Sequence, residues 1–319
     1  ASPTYINCDE PHSVRIAGTG QKTRAKPDKV LAQRMNDPYG VVMNACRHPI
    51  VSVILPTYNR GWTVLNAIDS VLGQTYKNLE LIVVDDGSTD DTPRLLSDYG
   101  DRLRVIRQPN RGVSAARNTG IRAAGGDLIA LLDSDDAWLP EKITAQVAFF
   151  DDPSEALICQ TEEIWIRNGV RVNPGKRHRK QAGMIFEPSL ALCLVSPSAV
   201  MVRRRLLDEV GLFDESLPAC EDYDLWLRIA WRYPIHLIDR PLVVRHGGHD
   251  DQLSRLPELD KYRIQSIARL LDGGDLSPSQ REAATTMLKT KCGIYAQGCH
   301  KRGRTDDGLY YERLAEKYA

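Results

Sequence analysis

No stretch of this 319-residue sequence is apolar for long enough to cross a bilayer. The best run, residues 190–202, is interrupted by Ser196, Pro197 and Ser198, and a spanning helix needs roughly 18 apolar residues or more. Charge of one sign is also missing. Lys plus Arg number 42 and so do Asp plus Glu, which removes the basic excess of a general nucleic-acid binder. The seven cysteines are scattered, with no CxxC pair and no metal-type spacing. An odd, dispersed set points to free thiols in a reducing compartment, hence a cytoplasmic setting. No Gly-x-Gly-x-x-Gly follows the first apolar run, which argues against a dinucleotide oxidoreductase. No secretory-signal pattern is seen at the start, and no internal repeat is evident. What remains is an ordinary globular composition, 42% hydrophobic and 26% charged. It suits one large domain, or one domain with an addition.

The most informative stretch is Leu131-Leu132-Asp133-Ser134-Asp135-Asp136. It closes an apolar run that reads as a buried strand, then sets three carboxylates within four residues. Like charges that close raise one another's pKa. The chain tolerates this cheaply when the group is solvated on a turn or when a cation neutralises it. Hard divalent cations such as Mg2+ and Mn2+ take oxygen ligands, and Mg2+ is commonly held by one or two carboxylates plus substrate phosphates.

The preceding residues repeat one pattern. Strands are expected to start at 51, 79, 103 and 128, with helices between them. Trp62, Leu65, Ile68 and Leu72 recur at helical spacing, and residues 112–124 read as a helix carrying Arg117 and Asn118. This fits repeated βαβ units in a mostly parallel, doubly wound sheet. The strands are continuously apolar, so helices should cover both faces. Ligands in such sheets sit beyond the carboxyl ends of the strands. Tyr58, Asp86 and the Asp133/Asp135 pair each follow a strand and should share one rim. Further on, strands are expected over 156–166, 198–202, 235–238 and 242–244, with a tight turn at Asn168-Gly169. Residues 170–187 are basic and read as a mobile loop. A helix opens at Glu221-Asp222, and three helices follow residue 257.

Five motifs in order resemble the inverting nucleotide-sugar glycosyltransferases of family 2, which have the GT-A fold. They are residues 51–59 (VSVILPTYN), residues 84–90 (VDDGSTD), residues 112–120, Asp133-Ser134-Asp135-Asp136 and Glu221-Asp222. The resemblance implies that Pro56, Thr57, Tyr58, Asp86 and Arg117 hold the nucleotide. It implies that Asp133 and Ser134 reach the nucleotide sugar, that Asp133 and Asp135 hold a metal, and that Asp222 is the catalytic base. A late His followed five residues on by Ser completes the metal and diphosphate site. His249 with Ser254 fits that spacing, with His246 as a rival. The Gln-x-x-Arg-Trp stretch of processive synthases is absent, which favours transfer of single sugars.

The expected protein is then a glycosyltransferase using Mn2+ or Mg2+. It would move one sugar from a UDP donor to a hydroxyl on a glycan, lipid-linked or other acceptor, in cell-surface glycan synthesis. A non-catalytic nucleotide-sugar-binding scaffold on the same fold is the alternative. An Asp phosphatase built on Asp133 lacks its supporting Lys and Ser/Thr set. The expected organisation is a weakly structured extension over 1–48, a GT-A domain over 49–255 and a helical region over 256–319. Neither nucleic acid nor a transmembrane segment is expected, and contact with the inner face of the membrane is compatible with the sequence.

Overall fold

A computed structural model describes residues 49–151, 155–249, 252–273 and 275–318. The extension expected over 1–48 lies outside them. The first half alternates as β1 (Val51–Thr57), α1 (Val64–Leu72), β2 (Leu79–Asp85), α2 (Thr92–Ser97), β3 (Arg104–Arg107), α3 (Val113–Ala123) and β4 (Leu128–Leu131). There follow β5 (Ala137–Trp138), α4 (Lys142–Asp151), β6 (Ile158–Arg167), β7 (Val170–Val172), α5 (Phe186–Ala191), β8 (Val200–Arg203), α6 (Arg204–Val210), α7 (Glu221–Ala230) and β9 (His236–Gly247). The helices α8 (Leu259–Gly273), α9 (Pro278–Lys301) and α10 (Thr305–Lys317) end the chain.

Among the described residues nine strands form one mixed sheet in the order β3-β2-β1-β4-β8-β6-β9-β5, with β7 paired to β6. The strands β1 to β4 are mutually parallel, and β6 and β9 run the same way. In the opposite sense run β5, β7 and β8. Parallel register sets Thr57 beside Asp85 and Ile54 beside Leu131. The carboxyl ends of β1, β2 and β4 therefore open at one edge.

Side chains of a strand alternate between faces. Ile54, Ile82 and Leu131 accordingly join one hydrophobic cluster, while Val53, Leu55 and Val83 join the other. The first cluster extends without a break to Ile264, Leu288, Cys292 and Tyr311 of the C-terminal helices. Helix α3 lies so close to β1 that a Cβ on Gly120 would stand 2.4 Å from Ile54 Cγ2. Among the described residues no helix is long and apolar enough to cross a membrane.

Three details depart from the sequence reading. Residues 236–238 and 242–244 belong to one strand, β9, which bulges opposite Thr161, Glu162 and Glu163. Pro241 sits at that irregularity, where a missing N–H costs least. Trp62 precedes α1 and is 63% exposed, because the buried face begins at Val64. The segment 170–187 is not one loop. The strand β7 pairs back on β6 across Asn168-Gly169, both left-handed (φ 50° and 75°), and a 3-10 turn and the start of α5 follow.

Candidate functional site

The open strand edge and the elements facing it enclose a cavity of about 910 Å³. Pro56, Thr57 and Tyr58 line it from the end of β1, and Tyr58 is 44% exposed at the rim. Asn59 then turns the chain in the left-handed region (φ 51°). Its Oδ1 accepts from Thr89 N at 2.8 Å, and its own N–H donates to Ser88 Oγ at 2.9 Å. The loops after β1 and β2 are thus tied together.

Asp86 follows β2 and is buried. Its carboxylate accepts from Gln108 Nε2 at 2.7 Å, Arg111 N at 3.0 Å and Gly112 N at 2.8 Å. Those last two N–H groups belong to the entry into α3. Little acceptor capacity is left, so the main physical task of Asp86 is to hold the loop 108–112 against the rim.

The acidic stretch after β4 occupies the middle of the cavity, and Ser134 lines it beside the carboxylates. Asp133 keeps 30% of its side chain exposed. The Asp135 carboxylate meets His249 Nε2 at 2.8 Å. Burial first, then Asp133, raises the Asp135 pKa, while His249 and Arg60 oppose the shift. Asp136 turns inward, accepting from Ser198 Oγ at 2.6 Å and His246 N at 2.9 Å. Burial and its two acidic neighbours push its pKa well above the usual carboxylate range. The two histidines therefore differ. His249 meets a carboxylate, whereas the His246 ring turns Nδ1 to the Asp135 backbone carbonyl at 3.0 Å. The side chain of Ser254 lies outside the described residues.

Among the described residues no three Asp, Glu, His or Cys side chains gather closely enough to cage a metal unaided. Asp135 and His249, with Asp133 two residues away, make an incomplete oxygen-and-imidazole donor set. That fits a divalent cation whose remaining positions are taken by water and substrate phosphate oxygens.

Arg117 joins this region to α7. The residue is buried, its Nη2 donating to Asp133 Oδ1 at 2.7 Å and its Nη1 to Glu221 Oε1 at 2.6 Å. Burial alone would loosen its proton, but Asp133 and then Glu221 outweigh that and hold the guanidinium charged. Burial also raises the Glu221 pKa, with Arg117 opposing and Asp222 adding to the rise.

Asp222 lines the cavity at the first turn of α7. Its Oδ1 accepts from Tyr223 N at 2.6 Å, and Cys193 Sγ lies 3.6 Å from its Oδ2. Asp224 is buried away in an ion pair with Arg228 at 2.9 Å. Burial, then Asp222, pushes the Cys193 thiol well up, so it stays protonated and donates.

All the residues expected at the nucleotide and the base line this cavity, and His249 meets it through Asp135. Sequence reasoning missed Cys193, Ser198 and Arg245. The first two act through partners 29 and 62 residues away, which no local pattern shows. The signal for Arg245 was its place immediately before His246.

Comparison with known proteins agrees with this geometry. An uncharacterized glycosyltransferase of Rickettsia typhi is 34% identical over 221 residues, 67% of this chain and 69% of that protein. The UDP-Glc:alpha-D-GlcNAc-diphosphoundecaprenol beta-1,3-glucosyltransferase WfaP of Escherichia coli is 33% identical over 56% of this chain and 70% of its own length. The structure of S. aureus TarS 1-349 in complex with UDP-GlcNAc shares the fold, with a TM-score of 0.63 at 18% identity over 84% of this chain and 91% of that one. Residues 52–211 match the family described as Glycosyl transferase family 2. With strand ends, acidic stretch and facing helix gathered on one GT-A cavity, the chain belongs to glycosyltransferase family 2 and is a glycosyltransferase.

Proposed function

We propose that the protein moves one sugar from a UDP donor to an acceptor hydroxyl, with inversion at the anomeric carbon and with the help of Mn2+ or Mg2+. The observation that carries this reading is the double grip of Arg117 on Asp133 and Glu221. It sets the donor-side acids and the candidate base Asp222 in one cavity.

In this reading Tyr58 offers an exposed aromatic ring to the nucleobase, with Pro56 and Thr57 beside it. Asp86 keeps the floor of that pocket in shape. Asp133, Asp135 and His249 would hold the cation, and Ser134 adds a hydroxyl beside the sugar diphosphate. A divalent cation there supplies charge stabilisation for the departing diphosphate. Asp222 takes the proton from the acceptor hydroxyl as the hydroxyl oxygen attacks the anomeric carbon. Cys193 and the Tyr223 N–H orient its carboxylate. One displacement assisted by a base inverts the configuration.

The relative WfaP acts, by its name, on a lipid-diphosphate-linked sugar. A lipid-linked or glycan acceptor in cell-surface synthesis, met at the cytoplasmic face of a membrane, is the setting proposed here. Incubation with a panel of UDP sugars, with Mn2+ or with EDTA, tests the reading. UDP release that depends on acceptor and metal is expected, with an inverted product by NMR. Release indifferent to both, or a retained configuration, rules it out.

A further inference from the structure

The cavity has a second wall, which the transfer step does not use. It is built by β6, β7 and the 3-10 turn Lys176–His178. From residue 164 to residue 186 the sequence holds six Lys or Arg and no Asp or Glu. One buried carboxylate, Glu163, serves this wall. Its Oε1 accepts from Lys180 Nζ at 3.0 Å. Its Oε2 accepts from Trp165 Nε1 at 2.9 Å and lies 4.0 Å from Arg245 Nη1. That leaves Arg167 and Arg177, both exposed and both lining the cavity, with no carboxylate partner among the described residues.

These cations converge. Arg245 Cζ sits 5.1 Å from the Trp165 ring centre, and the His178 ring sits 5.5 Å from it. Arg177 Nε donates to His178 Nε2 at 3.1 Å. After burial, Arg177, Arg245 and Arg167 all drive the His178 pKa down. Arg245 thus lies over the indole and Arg177 beside the imidazole, while Arg167, two residues along β6 from Trp165, lines the same cavity. The acids across the cavity draw on Arg245, through Asp136, Asp133 and Asp222, but Asp133 is held by Arg117, Asp136 by Ser198 and the His246 N–H, and Asp222 by the Tyr223 N–H and Cys193. Like charges gathered this closely repel, and a multiply charged anion between them would relieve the repulsion. Guanidinium forks suit phosphate oxygens, and one carboxylate would balance only one of two unpaired arginines. The wall stands on the β6–β9 side of the sheet, two strands beyond β4 and its acids. Arg167 and Arg177 are therefore set apart from the acids of the donor region, while Arg245, next to His246, faces both.

We infer that Arg167, Arg177 and Arg245, on the cavity wall beside Trp165, form a subsite for a phosphate or diphosphate group carried by the acceptor. This rests on reading the cavity as a nucleotide-sugar transferase site. The test titrates inorganic pyrophosphate into the protein saturated with UDP and Mg2+, by calorimetry. Wild type should bind pyrophosphate without losing UDP. The double variant Arg167→Ala/Arg177→Ala should bind it at least tenfold more weakly and keep its UDP affinity. Arg171→Ala, on β7 but off the cavity lining, should behave as wild type. Geranyl diphosphate binding tighter than pyrophosphate would mark the anion as that of a lipid carrier. Tighter binding of diglycerol phosphodiester would mark it as that of a phosphate polymer. Pyrophosphate that fails to bind, that merely displaces UDP, or that binds the double variant equally well overturns the subsite. If UDP itself does not bind, the donor reading fails. The same titration on the free protein, wild type against double variant, then still decides the arginine wall.

Discussion

Asp222 opens α7 with one oxygen on its neighbour's N–H and the other facing the Cys193 thiol. If it takes the acceptor proton, Asp222→Asn keeps the shape and removes the base. Turnover should fall about 10²–10⁴-fold, the usual worth of general-base catalysis, while calorimetry shows donor affinity unchanged. A variant near the wild-type rate would move the role elsewhere. Asp135 stands on the donor side against His249. Asp135→Ala should abolish turnover together with its metal requirement, which rates with Mn2+ and with EDTA would show; full wild-type turnover in excess EDTA contradicts the assignment. Asp86 holds the loop 108–112 through Arg111 N and Gly112 N. Asp86→Ala leaves those groups unpaired and should weaken UDP binding by about 1–3 kcal/mol, measured by titration. Asp86 and Asp135 were legible because acids that follow apolar strands are chemically conspicuous, and Asp222 through the family resemblance carried by Glu221-Asp222. Arg245 and Cys193 were not, since what makes them matter is a partner far along the chain.

Helix α3 carries Arg117 into the cavity and is seated by Gly120, whose missing Cβ lets it approach Ile54 and Val84. Gly120→Val would force that seat open. Overpacking of this kind costs about 1–3 kcal/mol, and UDP affinity should fall with stability, because Arg117 rides on the same helix. Urea unfolding and UDP titration of one sample check both. An unaltered midpoint would show that the seat can relax. The first four strands were expected at 51, 79, 103 and 128 and start at 51, 79, 104 and 128. Continuous apolar runs between polar turns make such strands readable without tertiary context. The second half was harder for a physical reason. The strand β5 has two residues and exists through its pairing with β9. The strand β9 passes Pro241 only by bulging, and the short helix α6 was not anticipated at all.

Across the whole molecule, one buried cation sets a dependence of stability on pH. Lys142 is fully buried, its Nζ 3.6 Å from the Trp138 ring centre and 3.4 Å from Val200 O. Burial lowers its pKa well below the ordinary lysine value, Cys159 opposing and Lys180 assisting. Between that lowered value and the unfolded value of about 10.4 the unfolded chain binds more protons, so this group makes stability rise with pH. Lys142→Met should therefore stabilise the fold by about 1–3 kcal/mol at neutral pH. The gain should shrink toward pH 10, as urea midpoints at the two pH values would reveal; a gain that is constant with pH contradicts the assignment. The C-terminal helices were foreseen from their spacing. Their merger into the cluster that also holds Ile54 was not, because a sequence pattern shows which face is apolar and not what covers it. Arg117 has a consequence for anyone recombining this chain with a relative. Its two carboxylate partners lie 16 and 104 residues further on, one on each side of any crossover placed in the middle. A chimaera that exchanged the second half for another acceptor preference would inherit Arg117 and Asp133 from one parent and the Glu221 position from the other. Only parents with a carboxylate there would give a hybrid without a buried, half-paired guanidinium.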